Sequence, residues 1–204
     1  DVYHSPSGQD YVRVIDYKTG RKIFKMADVL YGLNMQMLVY LAALVEQGGQ
    51  APAGILYMPA AEPSVSAGRG EEDAAVQERA DKLLRMNGVV LADTEIIEAM
   101  EAGAKGKFIP TALNKDGSLR KSPSPPLTKE QMALVLAYSK KLIAAMGREL
   151  LRGAAEARPN LNRHNACRLC PYGAVCGSEF SENDVQEDDA SQEEALARMR
   201  EALQ

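Results

Sequence analysis

Residues 12–20 read VRVIDYKTG, and this stretch decides how the rest of the chain is interpreted. Its first four residues are mostly apolar, which indicates a β-strand. Where the strand should end, Asp16 and Lys18 stand two residues apart with Tyr17 between them. Side chains two apart on a strand point to the same face, so the sequence places a carboxylate and an ammonium side by side.

This acid–lysine pair suits metal-assisted hydrolysis of a phosphodiester. The Asp16 carboxylate can bind a divalent cation, and the main-chain carbonyl of Tyr17 is a further hard oxygen ligand for Mg²⁺. The Lys18 ammonium can orient a water molecule or stabilise the charge that builds on a phosphate in the transition state. The alternative is an ordinary surface ion pair, because Asp-x-Lys is a common tripeptide.

A polar pair on the following helix strengthens the catalytic interpretation. The apolar run over residues 28–46 predicts one long helix with Asp28 as its N-cap. Gln36 and Tyr40 lie four residues apart on one face of it. A face turned to the core would carry Leu or Ile there, so the pair favours a site; a partly exposed polar face is the alternative.

The remaining pattern predicts a mixed α/β domain with few strands, in which a small sheet is flanked by helices. Residues 4–10 predict a hairpin loop back to a partner strand at Asp1–Tyr3. A second strand is expected at ILYMPA, and Thr128 with Gln131 forms a capping-box pattern. The predicted helices beyond the first one cover residues 71–87, 94–102 and 128–153.

Composition and charge exclude several classes of protein. The chain has 204 residues, 46% of them hydrophobic. No apolar run is long enough to predict a membrane span, and residues 1–10 lack the basic and apolar pattern of a signal peptide. Its net charge of −4 argues against a generally basic nucleic-acid binder. Residues 181–204 carry −6 of that charge, which leaves +2 for the rest of the chain and permits phosphate binding there.

Three cysteines, Cys167, Cys170 and Cys176, form a C-x2-C-x5-C pattern. An odd number packed this closely is a poor disulfide framework and indicates a metal centre in a reducing cytoplasm. His164 stands three residues before the first cysteine, so a Cys3His zinc site is one possibility and an iron–sulfur cluster is the other. Three buried cysteines without a metal are the structural alternative.

The segments VRVIDYKTG and LYGLNMQMLVYL together resemble the nuclease domain of the RecB-like branch of the PD-(D/E)xK superfamily. In that branch a D-Y-K-[TS] strand precedes a helix with Q-x-x-x-Y, and the fold is of the restriction-endonuclease type. The resemblance implies that Asp16 binds Mg²⁺ together with the Tyr17 carbonyl and that Lys18 is catalytic. It also implies that Gln36 and Tyr40 support the site and contact the nucleic acid.

The cysteine spacing and residues 113–147 are similar to the B subunit of bacterial AddAB-type helicase–nucleases. That similarity implies a 4Fe–4S cluster on the three cysteines and a fourth one upstream, in a C-terminal cysteine-rich segment. It further implies a cytoplasmic DNA exonuclease that processes double-strand breaks for recombination repair, with unwound single strands and the A subunit as partners. The nuclease domain would cover residues 1–180, followed by an acidic tail, partly helical or disordered, over residues 181–204.

Three parts of the family pattern are missing from the sequence: a second metal-binding Asp on the preceding strand, an upstream His or Glu ligand and the fourth cysteine. We therefore expect the chain to be the C-terminal piece of a longer polypeptide. With Asp16 as the one carboxylate ligand, the piece should bind metal weakly and have little activity. The rival interpretation is a non-catalytic DNA-binding or scaffolding module whose tail is stabilised by zinc or a cluster.

Overall fold

A mixed four-stranded sheet is at the centre of the fold. The computed structural model describes residues 1–20, 22–120, 122, 125–156, 159–160, 166–176 and 189–204. Within them the sheet order is β1-β2-β3-β4. The β1–β2 and β3–β4 pairs are antiparallel and the central β2–β3 pair is parallel. The strands are β1 (Val2–His4), β2 (Asp10–Lys18), β3 (Ala51–Pro59) and β4 (Asn87–Val90).

Helices flank this sheet, as the sequence predicts. The chain passes from β2 through α1 and α2 to β3, and from β4 through α4 to the long helix α5. In the described residues the helices are α1 (Met26–Leu30), α2 (Gln36–Gly48), α3 (Asp73–Leu83), α4 (Thr94–Met100), α5 (Lys129–Leu151), α6 (Gly173–Cys176) and α7 (Gln192–Leu203). A short 3₁₀ turn covers Ala166–Leu169.

The two faces of the sheet belong to different apolar clusters. Val12 and Ile55 pack against buried residues of α2, including Leu38 and Leu41, and we call this side the α2 face. Leu56 packs on the other side, the α4 face, together with residues of β4 and α4. Because strand residues alternate between faces, Asp16 and Lys18 share the α2 face with Val12.

The single helix that the sequence predicts over residues 28–46 is wrong. Asp28 lies inside α1, which ends at Leu30, and α2 begins at Gln36. Between them Gly32 has φ +74° and Asn34 has φ +56°, which is left-handed backbone that no α-helix contains. Gly and Asn are the residues that adopt this conformation at least cost, so the sequence YGLN interrupts the helix.

Two capped helices close the α2 face. Thr128 and Gln131 form the predicted capping box at the start of α5. Ser191 and Glu194 form a second one at the start of α7. Buried residues of α7, Leu196 and Met199 among them, belong to the same cluster as α2, and α7 packs against α5 and α1. The described part of the acidic tail therefore contains a helix that packs on the core, because its apolar residues recur on one side. A domain boundary at residue 180 stays a prediction.

No helix among the described residues is both long and apolar enough to cross a membrane.

Candidate active site

Asp16 and Lys18 lie at the carboxyl end of β2, and their side chains contact each other. Lys18 Nζ is 2.7 Å from Asp16 Oδ2, and both side chains are partly buried, with 33% and 21% of their surface exposed. The structure therefore places them side by side on one sheet face, as the strand alternation predicts.

The Asp16 oxygen nearest the ammonium is left without a hydrogen bond. Oδ2 is fully buried and accepts none from the described residues, so its contact with Lys18 is an ion pair without hydrogen-bond geometry. A buried carboxylate oxygen is costly unless a donor or a cation satisfies it. The Lys18 ammonium supplies a positive charge beside this oxygen, and no hydrogen bond from the described residues occupies its lone pairs.

Tyr57 forms the neighbouring wall of the site on β3. It pairs with Asp16 in the parallel register, so the two side chains share the α2 face. The centroid of its ring lies 5.7 Å from Lys18 Nζ, which is within cation–π range. Burial raises the pKa of the Tyr57 hydroxyl, and the carboxylates of Asp16 and Asp28 raise this pKa further.

Asn34 connects Tyr57 to a buried carboxylate in α1. The Tyr57 hydroxyl donates to Asn34 Oδ1 at 3.3 Å, and Asn34 Nδ2 donates to Asp28 Oδ2 at 2.6 Å. Asp28 is 2% exposed. A row of side chains therefore runs from the Lys18 ammonium into the core beneath the α1–α2 turn.

Gln36 and Tyr40 lie on the exposed side of the first two turns of α2. Gln36 Nε2 donates to the Tyr40 hydroxyl at 3.3 Å, and 52% of the Tyr40 surface is exposed. The helix that carries them covers the same sheet face as Asp16, although no hydrogen bond or ion pair joins the two pairs of residues in the described part of the chain. The predicted helical spacing is confirmed, and the predicted roles stay predictions.

Tyr17 points away from this site. Its side chain lies on the α4 side of β2 by strand alternation, and 66% of its surface is exposed. Only its main-chain carbonyl can be near the Asp16 carboxylate. Its role as a metal ligand stays a prediction.

Comparison with known proteins identifies the family of the chain. Residues 2–177 match the PD-(D/E)XK nuclease superfamily. The chain belongs to this nuclease superfamily. The motif residues Asp16 and Lys18 lie within the matched region, at the end of a central strand.

Several relatives of this nuclease chain are named as the B subunit of an ATP-dependent helicase/deoxyribonuclease. One from Thermoanaerobacter sp. (strain X514) is 37% identical over 176 residues, which is 82% of this chain and 15% of the relative. One from Caldanaerobacter subterraneus subsp. tengcongensis is 37% identical over 196 residues, 91% of this chain and 17% of the relative. One from Clostridium kluyveri is 34% identical over 175 residues, which is 81% of this chain and 15% of the relative. The nuclease chain thus spans about one sixth of the length of these curated relatives.

Mg²⁺ is the cation that PD-(D/E)XK nucleases typically use, and the Asp16 carboxylate fits it in part. Its buried, hydrogen-bond-free oxygen is the hard ligand that Mg²⁺ prefers. No group of three or more His, Cys, Asp or Glu side chains that could hold a metal ion is found among the described residues. The described residues therefore show no complete set of magnesium ligands, and the role of Asp16 as a ligand stays a prediction.

The three cysteines of the nuclease chain lie in two short helical turns. Cys167 is half-buried, Cys170 and Cys176 are exposed, and none of them forms a disulfide. The Cys170 amide donates to the Cys167 carbonyl at 3.2 Å, which closes the first turn. In the described part of the chain, the three thiols do not lie close enough together to form a metal-binding group. His164 lies outside the described residues, so the zinc and iron–sulfur alternatives both stay predictions.

A cleft of about 380 Å³ lies elsewhere on the nuclease and contains none of the predicted site residues. Two charged residues line it and pair with each other: Nε and Nη2 of Arg13 each lie 3.0 Å from Asp1 Oδ2. Because Arg13 alternates with Asp16 along β2, this cleft opens away from the acid–lysine pair. Its lining residues are Asp1, Val2, Tyr3, Tyr11, Arg13, Ala53, Ile96, Ala99 and Met100.

The sequence interpretation misses Asp28, Asn34 and Tyr57 as parts of the site. Asp28 is predicted as a helix cap, and Tyr57 is treated as an ordinary strand residue. A Gly and an Asn two residues apart, inside a supposed helix, were the available signal that the backbone turns there.

Proposed function

We propose that this chain is part of a metal-dependent DNA exonuclease domain. Its parent protein would be the nuclease subunit of a helicase–nuclease that processes double-strand breaks for recombination repair. The observation that carries the proposal is the buried oxygen of Asp16, which has no hydrogen bond and lies beside Lys18. In a chain of the PD-(D/E)XK superfamily, a carboxylate beside a lysine can bind a metal ion and contact the phosphate that is cleaved.

Asp16 would hold Mg²⁺ through its carboxylate, with the Tyr17 main-chain carbonyl as a second oxygen ligand. When bound, the cation would supply Lewis-acid activation of water and compensation of the charge on the phosphate. During hydrolysis a water oxygen bonds to phosphorus and gives up a proton to the solvent. The bond to the leaving sugar oxygen breaks, and that oxygen takes up a proton from the solvent. Lys18 orients the attacking water or offsets the negative charge that grows on the phosphate.

The register of β1 with β2 indicates where a second metal ligand of the parent protein would lie. Val2 pairs with Val12, and the Arg13 amide donates to the Asp1 carbonyl, so β1 and β2 remain paired at Asp1. Continued for three residues, this register would place a side chain opposite Asp16 and on the same face. We propose that this position holds the second magnesium ligand of the parent, and that the isolated chain is weakly active or inactive.

Gln36 and Tyr40 complete the proposed site at its entrance. Both are exposed on α2, so they can reach a bound strand without displacing core residues. We assign them to supporting the site and contacting DNA. Unwound single strands are the proposed substrate, and the A subunit of a helicase–nuclease is the proposed protein partner. The relatives are named as the B subunit of an ATP-dependent helicase/deoxyribonuclease, which supports DNA as the substrate and a further subunit as the partner. We also propose a cytoplasmic location.

The cysteine segment is proposed to hold a 4Fe–4S cluster through Cys167, Cys170, Cys176 and a fourth ligand from the parent. Zinc, with His164 as the fourth ligand, is the alternative. Anaerobic purification followed by visible absorption and metal analysis distinguishes them. In the parent we expect brown protein with iron and sulfide, and colour lost on Cys170→Ser. Stoichiometric zinc in colourless protein would contradict the cluster.

The nuclease proposal is tested in the full-length parent with Asp16→Ala. We expect loss of Mg²⁺-dependent cleavage of single-stranded DNA and unchanged DNA binding, because this side chain acts in metal binding and lies at a partly exposed position. Asp10→Ala, at the opposite end of the same strand, is the matched control and should cleave normally. Full cleavage by Asp16→Ala would refute the assignment. A parent that binds DNA but cleaves none would indicate a non-catalytic module.

A further inference from the structure

The Lys18 ammonium contacts a second side chain that has no place in the proposed mechanism. Its Nζ lies 2.7 Å from Asp16 Oδ2 and 5.7 Å from the centroid of the Tyr57 ring. A lysine side chain has four rotatable bonds, so the ion pair alone leaves its ammonium considerable freedom. An aromatic face at this distance restricts where the ammonium can lie.

The hydrogen bonds behind Tyr57 have a fixed direction. The Asn34 amide turns its nitrogen to Asp28 and donates to the carboxylate oxygen Oδ2 at 2.6 Å. Its oxygen then faces Tyr57 and can only accept, so the Tyr57 hydroxyl donates at 3.3 Å. Burial and the two nearby carboxylates raise the pKa of Tyr57, which keeps its hydroxyl protonated. Asp28 therefore determines how Tyr57 is held.

The backbone is also arranged to present Asn34 at this point. Its φ of +56° is uncommon for a residue with a side chain, and it falls between two helices that a continuous apolar run would otherwise join. The next helix, α2, begins two residues later with Gln36. Strained residues of this kind persist when surrounding contacts hold them, and they cluster at functional sites.

We propose that Asp28, Asn34 and Tyr57 are positioning residues that hold the Lys18 ammonium beside Asp16. Asp28 orients the Asn34 amide, Asn34 fixes the Tyr57 ring, and the ring limits the positions of Lys18. This inference rests on the proposed function, in which Lys18 acts on water or phosphate. It adds three residues that lie outside the Asp-x-Lys and Gln-x-x-x-Tyr motifs.

The position of Lys18 can be measured without metal or DNA. Protons of the Lys18 side chain near the Tyr57 ring should show an upfield ring-current shift in the NMR spectrum of this chain. Tyr57→Leu should abolish the shift, and Tyr57→Phe should reduce it because the ring remains but its anchor is lost. Tyr138→Phe is the matched control: its hydroxyl donates to the Leu30 carbonyl over the same 3.3 Å in the same core. It should leave the Lys18 signals unchanged.

A reversed hydrogen bond tests the role of Asp28. Asn34→Asp tolerates the left-handed backbone but places two carboxylates together, so it should displace Tyr57 and reduce the Lys18 shift. Adding Asp28→Asn to it restores a donor and an acceptor with the opposite polarity, and should recover most of the shift. If Asp28 and Asn34 served only to stabilise the fold, the double variant would not be expected to recover the Lys18 ring-current shift.

Cleavage by the full-length parent provides the second measurement. Tyr57→Phe should lower kcat by about tenfold or more with KM nearly unchanged, because a misplaced catalytic group slows chemistry more than binding. Tyr138→Phe should match the wild type.

Two results would overturn the inference. One is an unshifted Lys18 spectrum in the wild-type chain, and the other is equal Lys18 shifts in wild type, Tyr57→Phe and Tyr57→Leu. Failure of the proposed nuclease function is a separate result, because it would appear as uncleaved DNA while the Lys18 shift and its loss in Tyr57→Leu remained.

Discussion

The Lys18 ammonium lies 2.7 Å from Asp16 Oδ2, the oxygen that the proposed mechanism assigns to Mg²⁺. A divalent cation bound there would share this carboxylate with a positive charge at close range. Two like charges a few ångströms apart repel each other even with partial solvent screening. The ammonium to which we assign a part in the reaction should therefore weaken cation binding.

We predict that Lys18→Met tightens Mn²⁺ binding to this chain while it abolishes DNA cleavage by the parent. Removing the repulsion should lower the Kd by about three- to tenfold, a modest value because both side chains are partly exposed. Electron paramagnetic resonance of free Mn²⁺ measures the binding. Lys22→Met, at an exposed position, is the control and should change neither property. Weaker binding in Lys18→Met would contradict the assignment of Asp16 Oδ2.

The exposed Tyr40 provides a test that separates function from stability. Tyr40→Phe removes the hydroxyl that accepts the Gln36 bond, and because 52% of the residue is exposed, unfolding free energy should change by less than about 0.5 kcal/mol. Cleavage of single-stranded DNA by the parent should fall by about tenfold, since Gln36 loses the group that orients it. Tyr172→Phe, 70% exposed, is the matched control. Unchanged cleavage in Tyr40→Phe would remove the pair from the site.

The packing of α7 predicts that the C-terminal helix contributes to the stability of the nuclease core. Met199 is fully buried, so Met199→Ala should lower the free energy of unfolding by about 2–5 kcal/mol, which urea denaturation measures. Met146→Ala makes the same chemical change on α5 at a residue that is 43% exposed, and should cost less than about 1 kcal/mol. Equal losses in the two variants would show that α7 is not part of the core.

Local patterns were sufficient to predict most of the fold. The β1–β2 hairpin follows from a polar loop between two extended runs, and α5 follows from its capping box, because both signals lie within a few residues. Strand β4 is missed because NGVV shows no alternation and starts with turn residues. It becomes a strand because it pairs with β3, where Gly54 lies opposite Val90. This pairing joins residues far apart in the sequence, so the residues around β4 do not predict it.

In the candidate site, too, the sequence predicts contacts within one helix or strand but not contacts between them. Asp16 and Lys18, or Gln36 and Tyr40, are each brought together by the period of one element, so their spacing predicts the contact. Tyr57 reaches Lys18 only through the register of β2 with β3, which sequence does not specify. The link from Tyr57 to the core further requires the left-handed turn that ends α1. Contacts between different elements, such as these, become apparent only in the folded structure.

A carboxylate beside the sheet predicts how stability depends on pH. Glu101 accepts hydrogen bonds from the main-chain amides of Lys107, Phe108 and Ile109 at 2.9, 2.8 and 3.2 Å, and it thereby holds a loop whose Ile109 is fully buried. Partial burial raises the pKa of Glu101, but the amides of Phe108, Lys107, Ile109 and Gly106 outweigh it, so the pKa lies below its usual 4.5.

Because the folded state lowers this pKa, the stabilisation is present above pH 4.5 and is lost as the pH falls through the folded pKa. Glu101→Gln should therefore lower the free energy of unfolding by about 1–3 kcal/mol at neutral pH, and the difference from wild type should shrink in acid. Urea denaturation at pH 7 and at about pH 3 measures both values. Glu98→Gln, exposed on α4, is the control. A deficit in Glu101→Gln that persists unchanged in acid would show that packing, rather than the ionised carboxylate, holds the loop.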